Sequence, residues 1–79
     1  MQPVTIGETH MRGEKSGHTA EFHPHAGAGG RGAWVSTRCP GRLLTRHQAL
    51  SSLMLAEMEA LGVGGSQNAN RLRAELGLR

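Results

Sequence analysis

From Arg46 to Leu61 the chain contains neither glycine nor proline, and it is bracketed by a helix start and a helix stop. Thr45 is a good N-cap, and Gln48 three residues later gives the capping-box spacing, with Leu44 placed as a hydrophobic staple. Gly62 occupies the position that commonly closes a helix in the left-handed conformation. A helix over 46–61 is therefore the firmest element in the sequence. Its side chains are the problem. With Leu50 set at 0° and an advance of about 100° per residue, Leu61, Met54 and Met58 fall near 20°, 40° and 80°. Leu53 falls near −60°, Leu55 near 140°, and Ala49, Ala56 and Ala60 cluster around −100°. The apolar arc covers more than half the circumference, whereas a surface helix of a small domain needs an arc of roughly 100° or somewhat more.

The rest of the chain offers little with which to cover that arc. There are 79 residues, enough for one small domain. Chains of this size bury only about 60–65% of their unfolded surface and often depend on disulfides, metals or a partner. One cysteine, Cys39, forbids an internal disulfide, and Phe22 and Trp34 are the only aromatic residues. Each fully buried Leu or Met contributes roughly 1.5–3 kcal/mol, so leaving several exposed is costly against a typical stability of about 5–15 kcal/mol. A second chain, either another copy or a different protein, resolves this. The expected interface comprises Leu50, Leu53, Met54, Glu57, Met58 and Leu61. Glu57 lies inside the apolar arc near −20° and must reach solvent at the rim, pair, or be protonated. Pairing with an Arg or His of the partner would make it a specificity element.

Upstream of the helix, the alternation of Val4 and Ile6 permits a short strand, and Arg12–His18 reads as a turn or loop. Thr19–His23 alternates so that Ala20 and Phe22 face one side while Thr19, Glu21 and His23 face the other. Pro24 ends that strand and opens a glycine-rich loop over 24–32. Ala33–Cys39 has strand composition, with Val35 and Cys39 on one face and Trp34, Ser36 and Arg38 on the other. A hairpin between 19–23 and 33–38 follows, and Pro40-Gly41 reads as the turn that ends it. Downstream, Ser66 caps a shorter helix over Gln67–Leu76 that ends at Gly77, with Ala69, Leu72 and Leu76 on one face. The expected fold is α+β: a short N-terminal hairpin or three-stranded meander, one long helix and one short C-terminal helix. Residues 1–18 are expected to be a flexible or short-strand segment, and 19–79 a single ββαα domain.

Three functional readings compete. The leading one is a non-enzymatic binding or regulatory module that dimerises or docks on a protein through the Leu/Met face. The second is a dimeric DNA-binding regulator. A helix, a glycine-containing turn and a short helix carrying Gln67, Asn70, Arg71 and Arg73 have the order of a helix-turn-helix, and Asn, Gln and Arg can read base edges. The net charge of +3 allows nucleic acid without demanding it. The third is a metal-binding protein using His10, His18, His23, His25, Cys39 and His47. The chain lacks a Cys pair and a helical His pair, so the spacing assigns no metal ligands and no cofactor. Catalysis by Cys39 and His47 would lack an orienting group, since the chain has no Asp, and no enzymatic activity is expected. Gly27–Gly32 lacks the Lys-Ser/Thr ending of a phosphate-binding loop. No stretch approaches the roughly 20 apolar residues of a membrane span. Residues 1–11 lack the features of a signal peptide, so a soluble cytoplasmic protein is expected.

Trp34-Val35-Ser36-Thr37 followed by Pro40-Gly41-Arg42-Leu43-Leu44-Thr45-Arg46-His47-Gln48-Ala49 resembles small uncharacterised proteins common in GC-rich actinobacteria and their phages. The resemblance covers residues 33–61. It implies a strand–turn–helix module in a mobile-element or regulatory setting and carries no activity.

Overall fold

The computed structural model describes residues 4–78. It is an α+β fold of five strands and two helices. The strands are β1 (Val4–Ile6), β2 (His10–Gly13), β3 (Thr19–His23), β4 (Ala33–Ser36) and β5 (Cys39–Leu44); α1 (Arg46–Ala60) and α2 (Gln67–Glu75) follow. The strands form one antiparallel meander in sequence order. The sheet is thus wider than the two or three strands expected. Residues 4–18, expected to be flexible or a short strand, supply β1 and β2 of the same sheet; residues 1–3 of that segment lie outside the described residues.

Register divides the sheet into two faces. Val4 pairs with Gly13, Met11 with Ala20, Ala20 with Ser36, and Phe22 with Trp34. These residues point to the inner face, where Met11, Ala20, Trp34 and Ser36 are buried under α1. Thr5, His10, Arg12, Thr19, Glu21, His23 and Val35 alternate with them and point to the outer face, as expected for a sheet covered on one side. Phe22 and Trp34 meet in a tilted pair with centroids 5.8 Å apart.

The turn between β4 and β5 corrects one reading of the sequence. It lies at Thr37-Arg38, not at Pro40-Gly41, which sit inside β5. Ser36 pairs with Cys39 and Trp34 with Leu44, so β5 carries extra residues in a bulge. Gly41, at φ +77°, takes the left-handed conformation there. Pro40 is tolerated because it lies in the irregular part of an edge strand, between the paired positions Cys39 and Leu44. The early turn also moves Cys39 to the inner face beside Ser36, where it is buried, and away from Val35.

Thr45 caps α1 through a complete capping box: its side chain accepts the Gln48 N–H, and the Gln48 side chain accepts the Thr45 N–H. Ser66 caps α2 by accepting the Ala69 N–H. Gly62 and Gly77 take positive φ after the last turns, as the sequence predicts. α1 lies across all five strands, and α2 packs on α1. Ala49, Leu53, Leu55 and Ala56 of α1 are all buried, and Ala49, Leu53 and Leu55 belong to one core cluster with residues of the sheet and of α2. Ser52 Oγ stands 2.7 Å from Ser36 Oγ and 2.6 Å from the Ala49 carbonyl oxygen, so the hydroxyls in this interface are satisfied. No helix among the described residues is long and apolar enough to cross a membrane.

Candidate functional site

α1 has three flanks with different fates. The first faces the sheet. Leu53, one of the six expected interface residues, is fully buried there within the chain's own core. Glu57 is also turned inward, only 2% exposed. It neither lies at a solvated rim nor waits for a partner's cation. Its carboxylate accepts the backbone N–H groups of Lys15 at 2.7 Å and Ser16 at 2.6 Å, fastening the β2–β3 turn to the helix. Burial alone would raise the Glu57 carboxyl. The hydrogen bonds from Lys15 and Ser16 outweigh burial and hold it below its ordinary value of 4.5.

The second flank faces α2 and the β4–β5 turn. Arg38 makes a two-pronged contact with Glu59, Nε to Oε1 at 2.7 Å and Nη2 to Oε2 at 2.9 Å. Arg73 of α2 donates to the same Glu59 Oε2 at 3.2 Å and to Asn70 Oδ1 at 3.0 Å. Arg38 lowers the Glu59 carboxyl, burial opposes it, and Arg73 adds to the lowering. Arg42 donates to the Leu76 carbonyl and helps fix the end of α2. Two of the four nucleic-acid candidates, Asn70 and Arg73, are therefore occupied with each other and with Glu59. Gln67 and Arg71 remain exposed beside Asn68 along a shallow depression on α2.

The third flank is only partly covered. Leu50, Met54, Met58 and Leu61 follow one another there at intervals of four, four and three residues, which places them on one stripe of the helix. Leu50 and Met58 are half-buried and pack against the core, whereas Met54 is 40% and Leu61 58% exposed. Val63, just past the helix, is 47% exposed and donates its N–H to the Met58 carbonyl. The surplus of apolar helix is thus smaller than the sequence implies, because five strands and α2 cover most of it. What remains is this stripe.

The histidines are less loop-borne than their spacing suggests. His10 and His23 lie in β2 and β3 on the outer sheet face. His18 Nδ1 is 2.9 Å from Thr37 Oγ1. Among the described residues no group of three or more His, Cys or Glu side chains could hold a metal ion. A groove of about 350 Å³ runs along the same face, lined by Thr19, Glu21, His23, Val35, Thr37 and Pro40 among others. The alternation in Thr19–His23 already assigns three of those residues to one face; the bulge that brings Pro40 and Gly41 beside them has no comparable signal in the sequence.

Comparison with protein-family models, with curated proteins and with solved structures finds no match to this chain.

Proposed function

We propose that the protein is a non-catalytic binding module that docks through the partly covered flank of α1, and that its partner is a second copy of the chain. The observation that carries this reading is the exposure of Met54 in the middle of a regular helix, continuous with half-buried Leu50 and Met58 and exposed Leu61. Exposed methionine and leucine in a contiguous stripe, unlike scattered single residues, is typical of interaction surfaces. Methionine adapts to irregular partner surfaces. Pairing two copies about a two-fold axis brings the same stripe against itself. The stripe residues carry no charge, so no like charges meet at its centre; the net charge of +3 resides elsewhere.

Leu53 and Glu57 take no part in this surface. Leu53 supports it from below, and Glu57 holds the β2–β3 turn. A glutamate at position 54 places a charge in the middle of the stripe without touching the core. Size-exclusion chromatography coupled to light scattering is expected to show association for the unmodified protein and a folded monomer for Met54→Glu. Equal elution and mass for the two proteins contradicts the reading.

A further inference from the structure

Met11, Met54 and Met58 occupy three different environments. Met11, on β2, is fully buried in the core. Met58 is half-buried and packs against that core. Met54, one turn earlier on α1, is 40% exposed. It stands four residues after Leu50 and four before Met58, so a thioether occupies the middle of the apolar stripe. Cys39, the one thiol of the chain, is buried. Among the described residues the sulfur chemistry open to solvent is therefore concentrated at the centre of the pairing surface.

We infer that the oxidation state of Met54 controls whether two copies of the chain pair; the inference rests on the docking reading above. Hydrogen peroxide transfers one oxygen atom to the thioether sulfur. The O–O bond breaks, an S=O bond forms, sulfur loses two electrons and water leaves. The sulfoxide is a hydrogen-bond acceptor that needs a donor once it is buried. Leu50, Met58 and Leu61, its neighbours on the stripe, have no donor to give. On a separate protomer water satisfies the new oxygen, and the fold is undisturbed. In a pair that water is expelled and the acceptor is left unsatisfied. A two-fold pair buries two such groups, one from each copy. Burial keeps Met11, whose oxidation would disrupt the core, out of reach of the oxidant. Oxidation therefore acts on association and spares the fold. A thiol-dependent sulfoxide reductase reverses it: two thiols join as a disulfide, the S=O bond breaks and the oxygen leaves as water.

The test treats the protein with hydrogen peroxide, then transfers it to dithiothreitol, which reverses a disulfide or sulfenic acid at Cys39 and leaves a sulfoxide in place. Peptide mass spectrometry locates the added oxygen, and sedimentation equilibrium reads the association. Met54 is expected to oxidise ahead of Met58 and Met11. The oxidised protein should keep its circular dichroism spectrum and associate about tenfold more weakly, or less still. Met54→Leu keeps an apolar side chain of similar size and removes the sulfur. It should associate as the unmodified protein does, before and after peroxide. Met54→Gln, polar and of similar length, should weaken association to the same degree with no peroxide at all. An unmodified chain that is monomeric throughout overturns the docking reading and this inference together. Pairing that survives oxidation of Met54, or survives Met54→Gln, overturns this inference alone. So does peroxide that spares Met54, that unfolds the protein, or that dissociates Met54→Leu as readily as the unmodified chain.

Discussion

Oε2 of Glu57 accepts the backbone N–H of Ser16 at 2.6 Å, joining the last turns of α1 to the β2–β3 turn across 41 residues of chain. Oε1 accepts the Lys15 N–H beside it. The carboxylate thereby satisfies two backbone donors of the turn. Gly13 makes room for it: a Cβ at that position would stand 2.8 Å from Glu57 Oε2 and 2.6 Å from Ser16 Oγ. Replacing Glu57 with Gln puts an amide group where one of the N–H donors points. The expected loss is about 1–3 kcal/mol, the cost of leaving a buried donor unsatisfied. It is measured as a lower urea midpoint with an unchanged denaturant slope.

The same contact makes stability depend on pH. Glu57 and Glu59 both have folded-state values below the ordinary 4.5. Each therefore contributes stability that is fully present above the unfolded value and is lost as pH falls through the lowered folded value. The melting temperature of the unmodified protein should fall as pH is lowered through and below the ordinary value of 4.5. In Glu57→Gln the fall should be shallower over the same range, because one of the two linked protons is gone. Parallel curves would show that Glu57 titrates alike in the folded and unfolded chains.

Gly32 sits at φ +98° against the Phe22 ring, and a Cβ there would lie 2.4 Å from Phe22 Cζ. Gly32→Ala combines backbone strain with displacement of a ring that packs on Trp34. A loss of about 1–3 kcal/mol is expected from the strain alone. A change in tryptophan fluorescence of the folded protein should accompany it.

Arg38, Glu59 and Arg73 tie the β4–β5 turn, α1 and α2 together at one carboxylate. The side chains of Arg38 and Glu59 are 23% and 34% exposed, so solvent screens the pair. A double-mutant cycle of Arg38→Ala and Glu59→Ala should give a coupling of no more than about 1 kcal/mol, smaller in high salt.

Much of the helical half was legible in the sequence. Thr45, Gln48, Gly62, Ser66 and Gly77 act locally, and caps depend on a few neighbouring residues alone. The strand faces of Ala20 and Phe22 were legible for the same reason. The sheet's full width is not, because β1 is only three residues long and β2, with Met11 its one large apolar residue, lies in a stretch that reads as turn. The β4–β5 turn is not legible, because Pro40-Gly41 is a strong turn signal and nothing local says that an edge-strand bulge absorbs it. The place of Glu57 is not legible, because its partners are backbone N–H groups of a distant turn, which side-chain patterning does not reveal. The stripe of Leu50, Met54, Met58 and Leu61 follows from helical spacing, but how much of it stays uncovered depends on the sheet.

The exposed stripe on α1 is tested most directly by sedimentation equilibrium of the unmodified protein over a hundredfold range of concentration. The account predicts a mass that rises from the 8.4 kDa of one chain towards twice that value, and a Met54→Glu variant that stays at 8.4 kDa throughout. A mass of 8.4 kDa for the unmodified protein at every concentration would contradict it.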